Sequence, residues 1–338
     1  MSGPRFGVWA PVYGNHGARD HPDDAPDSSY RRTRDLIVAA EAAGFDSTLV
    51  AQHVVHPSAV EDDVLETWST LAGLAEATSR IELIGAIKPL LFNPLVFAKL
   101  AGNIADIAAG RLSINVVSGW FLPELEALGI EVPEHDDRYA HTRLWLETVS
   151  ALWAGKPVTI GGGDRQPALV RPTPAVVPPV YVGGESEPGR ALAAETADVF
   201  FINGRPFDDV VGVIDDLRSR PRGGAPLRFG LSAFVITRDT EGEARAELEY
   251  LQSLVDAERR PEISGGTDPK TQMYRVLANT SRVGSNGGTL AGLVGSHEQV
   301  AERIAAFHAA GIELFMLQFQ PLEAELHRFA EHVIPRFR

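Results

Sequence analysis

The 338-residue sequence contains no cysteine. This absence excludes disulfides, thiolate metal sites, iron–sulfur clusters and a cysteine nucleophile. Basic residues are also scarce, since 31 lysines and arginines stand against 45 aspartates and glutamates, which gives a formal net charge of −14. This balance argues against partners that attract basic proteins, such as nucleic acid or an anionic membrane surface. A small-molecule substrate is therefore expected.

Long apolar runs and targeting signals are missing as well. No stretch of about 18 uninterrupted apolar residues occurs, so no membrane-spanning helix is expected. Residues 1–5 lead into a strand-like segment without the basic region and apolar segment of a secretory signal. The sequence therefore predicts a soluble, cytoplasmic protein.

Strand-like apolar segments alternate with segments of helical periodicity along the chain. The first unit runs from the strand-like residues 6–12 to a helix that begins at Tyr30 and ends before Gly44, and a second strand follows at 45–51. About eight strands are predicted in this way, and many are almost continuously apolar, which is typical of a parallel sheet buried on both faces. The count favours an α/β fold, a closed (β/α)8 TIM barrel that spans 1–338 as one domain.

A doubly wound open sheet is the alternative architecture. Such a sheet normally carries a glycine-rich nucleotide-binding turn after its first strand. This chain has Gly14-Asn15-His16-Gly17 there, and it contains neither a GxGxxG turn in that context nor a P-loop. The barrel is therefore the preferred prediction.

Two segments interrupt the alternation. Residues 155–179 contain three consecutive glycines and six prolines, and predict a short extended excursion between a helix and a strand. Residues 258–296 are rich in Gly, Ser, Thr and Asn and lie late in the barrel, on its catalytic side. A long loop at such a place is either an active-site lid or a disordered segment, and we expect a lid-like insertion.

The residues that follow each strand of a barrel face its active site. In this chain they are polar or aromatic and include a single cation: Tyr13, Asn15, His16, Gln52, His53, His56, Lys88, Asn115, Ser118, Trp120, 183–186, Asn203 and Gln318. Two of the histidines, His53 and His56, have no paired carboxylate ligand close by in the sequence, so no metal site is expected. No Ser-His-Asp arrangement and no acid–base pair of carboxylates stands out. A cofactor is therefore expected to perform the chemical step.

A turn between a strand and a helix is a candidate phosphate site. Gly183, Gly184 and Ser186 combine open backbone amides, a hydroxyl and a helix N-terminus. The same pattern is also typical of a plain turn in which the serine caps the helix. Arg138 and Tyr139, at the start of the fourth helix, supply a guanidinium and a phenol suited to the same phosphate, and so favour phosphate binding.

The fourth strand and the loop after it carry a family resemblance. Residues 115–121 read Asn-Val-Val-Ser-Gly-Trp-Phe, and they are followed by Pro123-Glu124 and then by 134–139. With these motifs and with residues 282–295, the chain resembles the bacterial luciferase-like, flavin-dependent monooxygenases. Within them it is most similar to the dimethylsulfone, alkanesulfonate and pyrimidine monooxygenases. The resemblance covers essentially the whole chain.

The resemblance implies a TIM barrel with a late insertion that binds reduced FMN supplied by a separate, NAD(P)H-dependent flavin reductase. The positions that match the family's FMN contacts are Gln52, His53, Asn115, Glu124, Arg138, Tyr139 and Ser186. Arg138, Tyr139 and Ser186 are then expected to hold the phosphate. Asn115 is expected to bond the isoalloxazine edge, with Gln52 and His53 near the ring and the reacting oxygen. These last three are the candidate catalytic residues.

The implied activity is that of a two-component monooxygenase, in which O2 adds to the reduced flavin and the peroxyflavin oxygenates a small organosulfur compound, a sulfone or an alkanesulfonate. A pyrimidine or cyclic amide whose C–N bond is cleaved is the first alternative. A flavin-binding protein without turnover and a deazaflavin-dependent dehydrogenase are the others. A homodimer or homotetramer suits the family.

The substrate side departs from the pattern of the alkanesulfonate enzymes. The resemblance predicts an arginine and a histidine on the seventh strand and an active-site cysteine, but this chain has Ser232 and Phe234 there and no cysteine. A sulfonate held in that way is therefore disfavoured, although Arg275 and Arg282 in the late insertion are candidates to reach an anionic group. Aromatic side chains expected to lie either along a substrate pocket or in the core are Trp9, Trp68, Trp120 and Phe234.

Overall fold

Eight parallel strands close into a barrel in the computed structural model, which describes residues 3–24, 26–57, 61–119, 121–161, 165–258 and 283–338. With two further strands outside the barrel, the described residues form β1 Arg5–Trp9, β2 Ser47–Val50, β3 Glu82–Ile87, β4 Leu112–Val116, β5 Val180–Val182, β6 Val199–Ile202, β7 Arg228–Phe234, β8 Ile236–Arg238, β9 Val294–Ser296 and β10 Ile312–Gln318. Around the barrel the order is β1-β10-β7-β6-β5-β4-β3-β2, and β8 and β9 form a separate parallel pair. The predicted TIM barrel is confirmed.

Helices alternate with the strands as the periodicity predicts. They are α1 Tyr30–Ala42, α2 Thr67–Ala77, α3 Pro94–Ile107, α4 Leu122–Ala127, α5 His135–Trp153, α6 Glu187–Thr196, α7 Phe207–Ser219, α8 Glu241–Ala257, α9 His297–Ala310 and α10 Leu322–His332. Local chemistry sets many of the starts. Asn93 caps α3 ahead of Pro94, and a capping box of Thr240 and Glu243 opens α8. No helix in the described part of the chain is both long and apolar enough to cross a membrane.

The first strand is shorter than its apolar run predicts. β1 ends at Trp9 rather than at Val12, and Val12 donates its backbone N–H to the carbonyl of Ala10, 2.9 Å away, in a turn. Pro11 has no N–H to offer a neighbouring strand, so the run cannot continue as a paired strand. The chain therefore turns over the mouth of the barrel at Tyr13 to Gly17, where polar side chains are exposed to the site.

The excursion at 155–179 contains turns, bends and short extended pieces in its described residues, 155–161 and 165–179. Its described residues carry one isolated antiparallel bridge, in which Val158 and Ala168 exchange backbone hydrogen bonds of 3.0 and 2.8 Å. The bridge leaves the barrel order undisturbed, since β4 and β5 still pair directly.

The late insertion, 258–296, follows α8 and ends in β9. β9 pairs with β8, the strand before α8, and a small apolar cluster beside this pair is separate from the main core: Ala18, Phe234, Ile236, Ala244, Leu251, Val255 and Val283. The expectation of loop throughout 258–296 is wrong for 294–296, which form β9 because their backbone pairs with β8. Residues 259–282 lie outside the described residues.

The returning arm of this insertion, residues 283–287, crosses the end of the barrel. Gln318, fully buried at the end of β10, accepts from the backbone N–H of Ser285 at 2.9 Å and donates to its hydroxyl at 2.7 Å. Gly204, after β6, donates to the carbonyl of Asn286 at 2.8 Å. Gly287 has a positive φ of 97°, and a Cβ there would lie 2.1 Å from the Gly204 carbonyl oxygen, so only glycine fits. The arm is thus fastened to two strand ends.

Candidate active site

The predicted site residues from β2 to β5 meet at the carboxyl end of the barrel. Gln52 and His53 directly follow β2, and Asn115 is the fourth residue of β4. Asn115 is buried, and its Oδ1 lies 3.5 Å from the position that a Cβ would take on Gly183, at the end of β5. Asn115 Oδ1 has no hydrogen-bond partner among the described residues. A buried amide oxygen of this kind is costly unless a ligand or water bonds it.

A buried ion pair between Lys88 and Glu124 lies next to Gln52 and His53. Gln52 Oε1 accepts from the backbone N–H of Lys88 at 2.6 Å, and the Lys88 ammonium bonds Glu124 Oε2. Glu124 Oε1 accepts from the backbone N–H of Val54 at 2.6 Å and lies 3.7 Å from His53 Nδ1. Glu124 is fully buried. Both carboxylate oxygens are therefore engaged by neighbouring groups.

Charges in this cluster are set by burial and by each other. Burial, with a smaller effect of the Lys88 ammonium, lowers the pKa of His53 to about 4 against the opposing effect of Glu124. Burial alone would raise the pKa of Glu124, but His53 and Lys88 outweigh it and hold that pKa at about 2. At neutral pH, His53 is therefore neutral and Glu124 is ionised.

A second group of side chains lies at the end of β1. Tyr13 Oη and His16 Nδ1 are hydrogen-bonded at 3.1 Å, and the Tyr13 ring stands edge-on to His53 with ring centroids 6.0 Å apart. Trp9 Nε1 donates to Ser232 Oγ at 3.2 Å across the barrel. Burial raises the pKa of Tyr13 to about 12 and lowers that of His16 to about 4. This side of the site is uncharged, aromatic and able to donate hydrogen bonds.

The candidate phosphate site has Tyr139 against the glycine turn, while Arg138 bonds the loop after β4. Ser186 caps α6 and accepts from the backbone N–H of Gly189 at 3.4 Å. Tyr139 Oη lies 2.9 Å from where a Cβ on Gly184 would stand. Arg138 is buried and donates to the carbonyl of Gly119 at 2.7 Å. The cap predicted for a plain turn is present, and the phenol that was predicted to grip a phosphate lies against the same turn.

A buried carboxylate that the sequence did not single out supports this turn. Glu185 accepts from the backbone N–H of Asn203 at 2.7 Å through Oε1, and its Oε2 pairs with Arg205. Burial lowers the pKa of Arg205. Glu185 thus ties the glycine turn after β5 to the end of β6. The sequence signal was its position directly between two predicted phosphate-binding residues.

The six predicted substrate residues differ in their surroundings, and three of them lie outside the described residues. Trp68 is buried between α2 and α3, with its ring 4.8 Å from that of Phe97, and it packs behind β3 at Gly85. Phe234 belongs to the small apolar cluster beside β8 and β9. Both side chains are therefore buried in apolar clusters of the described residues. Trp9, at the end of β1, is hydrogen-bonded to Ser232 on β7. The predicted residues that lie outside the described residues are Trp120, Arg275 and Arg282.

Comparison with known proteins connects this geometry to a family. The profile of the family described as luciferase-like monooxygenase matches residues 5–314. A relative named FMNH2-dependent dimethylsulfone monooxygenase, from Pseudomonas fluorescens (strain Pf0-1), is 29% identical over 344 residues, which cover 99% of this chain and 94% of the relative. A relative of the same name from Pseudomonas putida is 28% identical over 351 residues, which cover 100% of this chain and 96% of the relative. The crystal structure of a long-chain alkane monooxygenase superposes with a TM-score of 0.80 at 21% identity, covering 99% of this chain and 91% of its own.

Proposed function

The chain belongs to the luciferase-like monooxygenase family, and we propose that it is a two-component, FMNH2- and O2-dependent monooxygenase that oxygenates a small organosulfur compound. The relatives named for this reaction with dimethylsulfone extend over almost the whole chain, which supports the proposal. One observation carries the proposal. The buried amide oxygen of Asn115, which has no partner among the described residues, lies beside the glycine turn Gly183–Ser186 that follows the neighbouring strand β5.

The donor set fits FMN at both ends. For the phosphate, the turn offers backbone N–H groups at the start of α6 and the hydroxyl of Ser186, and α5 supplies the phenol of Tyr139, with Arg138 the residue before it. For the isoalloxazine edge, Asn115 offers a buried amide oxygen without a partner in the described part of the chain. In this proposal Gln52 and His53 lie near the ring. Glu124 acts behind them, since its oxygens are engaged by Lys88 and Val54.

Reduced FMN, when bound, supplies the two electrons that activate O2 for transfer of one oxygen atom to the substrate. The protein's part is to bind the substrate beside the flavin, exclude water and hold protons at stated positions. Tyr13 retains its proton at working pH because its pKa is about 12, and His53 stays uncharged because its pKa is about 4. Neither side chain brings a net charge next to the reacting oxygen.

The charges around the site favour a neutral substrate. Lys88 pairs with Glu124 and Arg205 pairs with Glu185, so these two cations are already balanced. Tyr13 and His16 offer uncharged hydrogen-bonding groups suited to an acceptor such as a sulfone oxygen. An apolar body with one or two strong acceptors fits this environment better than a sulfonate, whose charge would have to be desolvated beside cations that are already paired.

The reductase, the cellular compartment and the assembly are further parts of the proposal. A separate, NAD(P)H-dependent flavin reductase supplies FMNH2 in this proposal, in the cytoplasm, and the protein assembles as a homodimer or homotetramer. Residues 1–338 act as one domain whose late insertion, 258–296, serves the site.

One assay separates the candidate activities. The protein is incubated with FMN, NADH, O2 and an unrelated flavin reductase, and with dimethylsulfone, methanesulfonate or uracil in turn. Release of methanesulfinate from the sulfone supports the proposal; sulfite from the sulfonate or a ring-opened amide from uracil would replace the substrate class. Tight binding of oxidised FMN without any product across a broad panel would indicate a flavin-binding protein. Parallel titration with a reduced deazaflavin tests the dehydrogenase alternative.

A further inference from the structure

Lys88 occupies an unusual place for a lysine. It is one of four lysines in the chain, it directly follows β3, and only 2% of its surface is exposed. Its backbone N–H and its ammonium have different partners: the first donates to Gln52 Oε1 and the second to Glu124 Oε2. A single residue therefore contacts the segment after β2 twice, once directly and once through Glu124.

Glu124 is the hub of these contacts. It lies in the first turn of α4, after the loop that follows β4, and its carboxylate reaches the backbone of Val54 and the edge of the His53 ring. Three segments distant in sequence converge on one carboxylate: the turn after β2, the end of β3 and the start of α4. The orientation of the turn that carries Gln52 and His53 depends on that carboxylate.

Stability alone does not account for the pair. Burying two opposite charges costs desolvation of both, and an apolar pair of similar volume is often as stable or more so. A buried pair whose carboxylate also bonds the backbone at Val54 has a second use, which is to hold neighbouring groups in one geometry.

We propose that Lys88 is a positioning residue of the active site, whose ammonium orients Glu124 and, through it, the Gln52–Val54 turn that presents Gln52 and His53 to the flavin. This inference rests on the proposed function, since that function assigns the flavin to Gln52 and His53. It differs from a direct flavin contact by Glu124, because the Glu124 oxygens are engaged by Lys88 and Val54.

The electrostatic consequence is specific to Lys88. The groups that face the His53 ring are Lys88, Glu124, His56, Tyr13 and Phe121. Removing the ammonium takes away a charge that lowers the pKa of His53 and leaves the carboxylate of Glu124, which raises it. Loss of Lys88 therefore moves the pKa of His53 upward and Glu124→Gln moves it downward, whereas looser packing around the ring would raise it in both variants.

The first test measures His53 in flavin-free protein. Histidine ring signals are followed by NMR from pH 8 to pH 4.5 in wild type, Lys88→Met, Lys88→Arg and the exposed control Lys156→Met, with His53→Gln used for assignment. In wild type, Lys88→Arg and Lys156→Met we expect the His53 ring to stay neutral over this range, because its pKa is about 4, and in Lys88→Met we expect a midpoint about one pH unit higher, which falls within the range. An unchanged midpoint in a folded Lys88→Met protein would overturn the electrostatic part of the inference.

The second test is a double-mutant cycle on FMN and FMNH2 affinity. Lys88→Met, Glu124→Gln and the combined variant are titrated with both forms of the flavin, anaerobically for the reduced one. We expect about a 10-fold or greater loss for Lys88→Met and little further loss in the combined variant, because the two residues act as one unit. Equal, independent losses would instead assign Glu124 a direct flavin contact and overturn the inference. The combined variant carries no uncompensated charge, so it reports even if Lys88→Met does not fold. Failure of the wild type to oxygenate any substrate would contradict the proposed function while leaving both tests readable.

Discussion

The hydroxyl of Tyr139 lies directly against Gly184, 2.9 Å from the position of an added Cβ. The phenol and the glycine turn come from α5 and from the end of β5, so their contact sets the width of the candidate phosphate site. This relationship makes the turn sensitive to the smallest side-chain change.

Gly184→Ala should weaken flavin binding. The new methyl group would meet the Tyr139 hydroxyl at 2.9 Å, so either the phenol or the turn must shift. A displacement of this size at a binding site costs on the order of 10- to 100-fold, measured as the dissociation constant of FMN by fluorescence quenching. The matched control is Gly212→Ala in α7, where an added Cβ meets nothing within 4 Å. Equal affinities for the two variants would reject the phosphate assignment.

Ser186→Ala separates a helix cap from a ligand. Loss of the cap on α6 should lower the free energy of unfolding by about 1 kcal/mol, as should Ser29→Ala at the start of α1, where the same type of cap bonds Arg32. If Ser186 also holds the phosphate, Ser186→Ala loses flavin affinity and Ser29→Ala does not. Combining Ser186→Ala with Arg138→Ala should then cost a further binding free energy of about 1.5–3 kcal/mol for FMN, because a charge-assisted contact is lost. Urea unfolding and FMN titration on both serine variants provide the comparison. Parallel behaviour of the two would leave Ser186 as a cap alone.

Stability should decline as the pH falls from about 6.5 to about 4. Burial lowers the pKa of His16 and of His53 to about 4, below the ordinary 6.5. In that window the unfolded chain binds protons that the folded chain does not, so each histidine removes up to about 3 kcal/mol at the low end. Urea unfolding at pH 7.5, 6 and 5 should therefore show a smaller slope with pH in His16→Gln than in wild type. The exposed His141→Gln should keep the wild-type slope, and a slope unaltered in both would contradict the assigned neutrality of His16.

Tyr13→Phe should raise the KM for a sulfone substrate. The Tyr13 hydroxyl keeps its proton because its pKa is about 12, and a lost neutral hydrogen bond is worth about 0.5–1.5 kcal/mol, or roughly a 2- to 13-fold change in kcat/KM. Steady-state kinetics with dimethylsulfone measures it, with Tyr250→Phe on the exposed face of α8 as the control. A kcat/KM for Tyr13→Phe that equals that of the control would remove Tyr13 from the substrate site.

The order of elements followed from the sequence because each strand of a parallel barrel is a short apolar run between amphipathic helices. Two departures have local causes: Pro11 ends β1 early, and α4, at Leu122–Ala127, is too short to show a helical period. The positions of Gln52, Asn115 and Ser186 at strand ends were also readable. What neither periodicity nor spacing contains is the pairing of Lys88 with Glu124, 36 residues apart, since it depends on β3 pairing with β4 and on how the loop after β4 folds back to start α4.

The parallel pairing of β8 with β9 has a consequence for redesign. Ile236 and Val294 stand side by side in that pair, and Gln318 and Gly204 hold the adjoining arm by its main chain at Ser285 and Asn286. At the other end, α8 leads from β8 to Glu258, and Val255 near its end packs in the same apolar cluster as Val283. Exchange of the segment between Glu258 and Val283 for another sequence should therefore leave the β8–β9 pair and the main-chain bonds of the arm in place.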